Sequence, residues 1–191
     1  MARTYTLKRR AESQAETRRR IVEAAVDLHG TVGPAATTVS MIAERAGVQR
    51  HTVYAHFPDD RSMLLACSGL VAERDPLPEA EPWRAIADAR ARLRTGLGAL
   101  YAWYERNAGL TARVLRDAEV HPLTREIVAL RWDGRFADYR AVLGEALAPD
   151  AARLLAVALS YFTWQTLTAD NRLTSAAAAE LMARTVACGE T

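Results

Sequence analysis

Apolar residues recur along this chain at three- and four-residue intervals, and no stretch of useful length alternates apolar with polar. The pattern predicts an all-α protein. Between about Gln14 and Val32, the residues Ile21, Ala25 and Leu28 fall on one helical stripe, which Val22 and Val26 widen. Gly33-Pro34 breaks the chain after it. Thr38 is a natural N-cap for a short helix through Arg45, closed by Gly47. A second short helix is expected from about Gln49 to Phe57, stopped by Pro58, and Asp59 or Asp60 caps a fourth that reaches about Arg74. The segment Asp75 to Pro82 holds three prolines in eight residues and reads as a linker. Beyond it the periodicity predicts a helix over Trp83–Asn107 and a shorter one over Leu110–Val120. A further helix runs from Pro122, a favourable first position, to about Leu147. The last two start near Pro149 and Thr174. The organisation expected is a flexible basic arm over residues 1–12, an N-terminal domain over 13–75 and a larger helical domain over 76–191.

The short pair of helices carries the most specific signal. Two helices separated by a glycine-containing turn pack nearly at right angles. Ala43 is small where they would cross closely, and Gly47 tolerates the positive φ that reverses the chain. Ile42, Val48 and Val53 supply apolar contacts to the preceding helix. The polar run Gln49-Arg50-His51-Thr52 opens the second helix, whose first turn enters the major groove in a helix-turn-helix. A corner between two helices with no role at DNA is the plainer alternative.

Charge changes the picture only once it is split along the chain. The formal net charge is +2, but residues 1–20 alone hold Arg3, Lys8, Arg9, Arg10, Arg18, Arg19 and Arg20 against Glu12 and Glu16. A polyanion would be met there, although a solvated basic tail has the same composition. Cys67 and Cys188 lie far apart without CxxC or Cys/His spacing, so neither a disulfide framework nor a metal site is expected. No apolar stretch follows the basic residues, so no secretory signal is expected. The longest uncharged run, Leu154 to Ala169, is too short to span a bilayer. These features together predict a soluble cytoplasmic protein with no membrane partner. His51 and His56 are five apart, which does not stack them for metal binding. Without HExxH, GxSxG, a phosphate loop or a dinucleotide fingerprint, neither an enzyme nor a cofactor is expected.

Residues 17–65, from Thr-Arg-Arg-Arg-Ile-Val-Glu-Ala-Ala through Thr-Thr-Val-Ser-Met-Ile-Ala-Glu-Arg-Ala-Gly-Val to Val-Tyr-Ala-His-Phe-Pro-Asp-Asp-Arg-Ser-Met-Leu-Leu, resemble the DNA-binding domain of TetR/AcrR-type regulators. The resemblance covers about a quarter of the chain and extends to the remainder only in architecture. It implies a three-helix helix-turn-helix DNA-binding domain, a helical C-terminal domain for ligand binding and dimerisation, and a homodimer on a double-stranded operator. It usually also implies repression relieved by a small molecule. Carried over by position, Thr38 touches phosphate, Arg50 and His51 face base edges with Gln49 close by, and Thr52, Tyr54 and His56 contact the backbone. Arg50 can bridge guanine O6 and N7 or bind phosphate. Lys8, Arg9 and Arg10 can enter a minor groove or add affinity through counterion release, the latter being the expectation. Two positions depart from the family pattern. His51 stands where a small residue is common, and Asp60 stands where a phosphate-pairing Lys is common. Arg61 beside it can partly offset the acidic group.

The C-terminal part is rich in aromatics, and Trp103, Tyr104, Trp132, Phe136, Tyr139, Tyr161, Phe162 and Trp164 are candidates to line a pocket for a small apolar or aromatic effector. A helical core needs the same residues. The stretch Leu154–Leu167 is apolar on nearly every face, which predicts burial on both sides, one against the core and one against a second subunit. The final helix, with Leu181, Met182 and Val186, would complete that isologous interface. A scaffold regulating without an effector, or acting as a protein–protein adaptor, is the alternative function.

Overall fold

The computed structural model describes residues 2–145 and 147–188, with side chains from Arg9 onward. Among the described residues the regular structure is helical throughout. The N-terminal part comprises α1 (Ala2–Thr31), α2 (Val39–Ala46), α3 (Arg50–His56) and α4 (Asp60–Arg74). A 3-10 turn (Glu81–Ala85) follows, then α5 (Ala89–Val120), α6 (Pro122–Leu143), α7 (Pro149–Ala158), α8 (Tyr161–Gln165), a π-helical turn (Thr166–Asp170) and α9 (Ser175–Cys188). Residues 75–82 do not form a bare linker. The Asp75 carboxylate accepts from Arg106 at 2.9 and 3.0 Å and from Asn107 at 2.8 Å, the Pro78 carbonyl accepts from the Tyr139 hydroxyl at 2.7 Å, and Ala80 is buried.

The chain forms two compact units, one of residues 1–74 with 109–128 and the other of 75–108 with 129–191. Residues 109–128, expected in the C-terminal domain, therefore pack with the N-terminal helices. In the first unit α1 packs on α2 and α4, and α2 packs on α3. Ile21, Ala25 and Leu28 are buried together with Ile42, Ala43, Val53, Phe57, Met63 and Cys67. Burying an Ile or Leu side chain of this kind contributes roughly 1.5–3 kcal/mol.

Three expectations are corrected. The expected arm, residues 2–12, is helical and continuous with the rest of α1, because this stretch has no Gly or Pro and most of it is the good helix formers Ala, Arg, Lys, Leu and Glu. The expected break between Asn107 and Leu110 is absent. α5 runs straight through Gly109, whose carbonyl accepts a 2.9 Å bond from Arg113 Nη1. The single helix expected to start near Pro149 and carry the apolar stretch Leu154–Leu167 is interrupted at Leu159–Ser160, where Ser160 turns to φ −71°, ψ 134° and its Oγ accepts from the Phe162 N–H. Such a break leaves carbonyls without helical partners. Those of Ala158 and Leu159 are taken by the buried hydroxyls of Tyr101 and Tyr104, each at 2.8 Å.

Candidate nucleic-acid interface

The reversal between α2 and α3 is built by three residues. Thr38, extended at φ −109°, caps α2 by accepting the Met41 N–H at 3.3 Å, a contact that contributes about 1 kcal/mol. At the far end Gly47 adopts φ 64°, ψ 41°. Its N–H donates to the Glu44 carbonyl at 3.2 Å and that of Val48 to Ala43 at 2.9 Å, which satisfies two terminal carbonyls of α2. Nothing lies within 4 Å of a Cβ built at Gly47, so backbone strain is what opposes a larger residue there.

α3 is anchored along one face and open on the other. Val53 and Phe57, four residues apart, are 1% and 3% exposed. Their burial turns Gln49, Arg50, His51 and Tyr54 outward, all of them exposed, while Thr52 and His56 are half-buried. Thr38 is exposed at the start of α2, and because its oxygen already accepts from Met41, its hydroxyl hydrogen remains to be donated outward. The arrangement gathers an arginine, an imidazole, an amide and several hydroxyls on a convex helical ridge. That set can donate to phosphates and to base edges in a major groove.

Part of the basic N-terminus, though exposed, is tied to the fold. Arg18 lies over the Phe57 ring at 4.7 Å, Arg20 donates to the Ala46 carbonyl at 3.3 Å, and Arg19 pairs with Glu16 and Glu23. Those three arginines bind the scaffold of α1, α2 and α3. Arg9 and Arg10 are exposed, and the Lys8 side chain lies outside the described residues. Arg61 is held by Glu126, with Nε and Nη2 at 2.9 and 2.8 Å from one carboxylate oxygen. The offset that Arg61 was expected to give Asp60 is therefore shared with Glu126. The α4 cap is Asp59, which accepts the Ser62 N–H at 2.7 Å, a bond that holds its carboxyl below the usual range.

Sequence reasoning missed Asp117. Its carboxylate, 4% exposed, accepts the Ala35 N–H at 2.9 Å and a bond from Arg116 Nε at 2.8 Å. It thereby ties the loop between α1 and α2. Gly33 sits at φ 100° against it, and a Cβ there would stand 2.4 Å from the Asp117 Oδ2. The loop that presents Thr38 and α2 is thus fixed from α5, 82 residues away in sequence, where no short-range signal could point. His29, 6% exposed in α1, has its pKa lowered to about 4 by burial, with the Asp117 charge opposing.

The aromatic residues expected to line an effector pocket pack against one another. Trp103 meets Trp132 edge-on at 5.9 Å, Trp132 stacks on Phe136 at 5.4 Å, and Tyr104 meets Tyr161 at 5.3 Å. Their polar ends are largely occupied. Trp103 Nε1 donates to the Asp75 carbonyl, Tyr139 to Pro78, Tyr161 to Ala108, and Trp164 Nε1 to Ser175 Oγ. Trp132 and Phe136 are half-buried, and Phe162 is exposed.

The profile of bacterial regulatory proteins of the tetR family matches residues 21–67. A transcriptional regulator from Rhodococcus sp. Rha1 shares the fold with a TM-score of 0.67 and 21% identity, over 90% of this chain and 96% of that one. PfmR, a TetR family transcriptional regulator from Thermus thermophilus, gives 0.61 and 23% over 87% and 96%. A tetR-family transcriptional regulator from Streptomyces coelicolor gives 0.61 and 18% over 91% and 80%. No curated protein sequence matches the chain. Residues 21–67 thus carry the DNA-binding helix-turn-helix of the tetR family of bacterial regulatory proteins, and the chain as a whole shares the fold of proteins described as TetR-family transcriptional regulators.

Proposed function

We propose that this protein is a cytoplasmic homodimeric repressor that binds an inverted-repeat operator and is released by a small molecule. The observation that carries the proposal is α3, anchored inward by Val53 and Phe57 and presenting Gln49, Arg50 and His51 to solvent. Arg50 and His51 face base edges, with Gln49 beside them. Thr38, Thr52, Tyr54 and His56 hold phosphates, and Arg61, Lys8, Arg9 and Arg10 add counterion-release affinity. Residues 13–75 carry the DNA-reading role, supported by the packing of 109–128 with them, and the rest of 76–191 carries the effector and dimerisation role.

Dimerisation through the last helices is supported by exposed apolar side chains there. Val157 of α7 and Phe162 of α8 are 52% and 49% exposed, and covering them with a second copy removes that surface from water. Two copies place their α3 helices in successive major grooves about 34 Å apart on B-DNA. An apolar effector in the C-terminal domain first meets the half-buried pair Trp132 and Phe136, and it then shifts the population between two dimer geometries. Regulation without an effector is the second reading. It is favoured by the packed state of Trp103, Tyr104, Tyr139, Tyr161 and Trp164, whose hydrogen bonds are already made.

The reader role is tested with Arg50→Ala on a pool of duplexes at physiological salt. The expected result is an unchanged dimer that loses discrimination of about 1–3 kcal/mol at one base pair of each half-site. An unchanged site preference removes Arg50 from that role.

A further inference from the structure

A cleft of about 380 Å³ opens within the first unit, beneath α3. Its apolar wall includes Ile42, Val53, Phe57, Met63 and Leu64. Its polar groups are His29, Thr37, Tyr54, Asp59, Asp60 and His121, with no Lys or Arg among the lining residues. Volumes of this order hold small organic ligands. His29 is 6% exposed and lines the cleft, yet its ring makes no hydrogen bond to any described group. Among the described residues no fully buried side-chain nitrogen or oxygen lacks a partner, so the unbonded His29 nitrogens are accessible, and the cleft they line is where a partner can reach them. Asp60 is likewise exposed at the rim with no ion pair or hydrogen bond, and it is the residue that the DNA reading leaves without a purpose. Among the described residues no group of three His, Cys, Asp or Glu side chains is arranged to hold a metal ion.

We propose that this cleft is a binding site for a small apolar molecule carrying a protonated amine, its body against Val53, Phe57 and Leu64 and its ammonium at the Asp59–Asp60 rim. The carboxylates favour a cation over an anion, and Tyr54 offers it a ring face. His29, held neutral by burial, supplies a hydrogen-bonding nitrogen without repelling the charge. The occupant rests on the two residues that anchor α3 and on Tyr54. If α3 reads DNA as proposed above, occupancy therefore changes operator affinity from within the DNA-binding domain. That consequence rests on the DNA reading, whereas binding itself does not.

The test uses the full chain without DNA, titrated with 2-phenylethylamine and, separately, with phenylacetate as its anionic counterpart. The ring signals of His29 and His121 and the methyl signals of Val53 and Leu64 are followed by NMR. Saturable shifts with the amine, confined to those residues and absent with phenylacetate, are the expected result. Asp60→Asn, an exposed substitution that leaves the fold intact, is expected to weaken the amine about three- to fivefold, the scale of a solvent-exposed ion pair. The absence of a saturable shift at His29, equal binding of phenylacetate, or undiminished binding to Asp60→Asn would each overturn the proposal. Loss of DNA binding with amine binding retained would instead count against the DNA reading alone.

Discussion

Replacing Asp117 by alanine removes the buried carboxylate that ties Ala35 of the α1–α2 loop to a distant helix, while Arg113 and Arg116 still hold the Thr31 and Val32 carbonyls, and its cost follows from the contacts. The 2.9 Å bond from the Ala35 N–H ends on a buried carboxylate, and hydrogen bonds to charged groups contribute about 1.5–3 kcal/mol. The Arg116 partner is 59% exposed, so solvent screening leaves that ion pair at most about 1 kcal/mol. Together the loss is about 1.5–4 kcal/mol, which for a chain of this size lowers the melting temperature by roughly 3–16 °C. Asp117→Asn keeps an oxygen for the Ala35 N–H and is expected to cost only about 1 kcal/mol. Urea unfolding of both variants, with amide exchange read at Ala35, measures the difference. A change below about 0.5 kcal/mol in the alanine variant, or asparagine as costly as alanine, refutes the reasoning.

Acid sensitivity has a defined origin at His29, whose folded pKa of about 4 lies below its ordinary 6.5. Between those values the unfolded chain binds a proton that the folded chain refuses, so stability falls as pH drops from 6.5 to 4 and levels off below. At pH 5 this one group is expected to have removed roughly 2 kcal/mol, a slope that His29→Gln flattens in urea titrations at several pH values. Burial pushes the Cys67 thiol up to about 12 while Cys188 is exposed. A thiol reagent at pH 8 is therefore expected to label Cys188 alone in the native protein and both cysteines in denaturant. Asp60→Lys exchanges a rim carboxylate for a cation near the proposed phosphate contacts. It is expected to raise DNA affinity and steepen its salt dependence by about one counterion, as read by fluorescence anisotropy across salt concentrations.

The helix-turn-helix was legible because its determinants are local. Thr38 as a cap, Gly47 at positive φ and Val53 facing inward all follow from neighbours within a few residues, and each is in place. The choice between Asp59 and Asp60 as the α4 cap was open in sequence, and the Ser62 N–H selects Asp59. Misread features depended on partners far along the chain. The break at Ser160 is stabilised by hydroxyls of Tyr101 and Tyr104, more than fifty residues earlier, so an apolar run of helical period gave no sign of it. α5 continues through Gly109 because one unfavourable residue costs only about 1 kcal/mol against the packing of a long helix. The aromatic residues were ambiguous for a different reason. Periodicity reports which face a ring occupies, and only the hydrogen-bond partners of Tyr104, Tyr161 and Trp164 reveal that their polar ends are engaged inside the protein.

The central claim is that two copies of α3 read a symmetric DNA site. Its most direct test is selection of bound sequences from a randomised duplex library by the purified full chain at physiological salt, where non-specific affinity is weak. The account predicts enrichment of an inverted repeat whose half-sites lie about one helical turn apart, or a multiple of it. A folded protein that enriches no sequence, or a single unrepeated half-site, would contradict it.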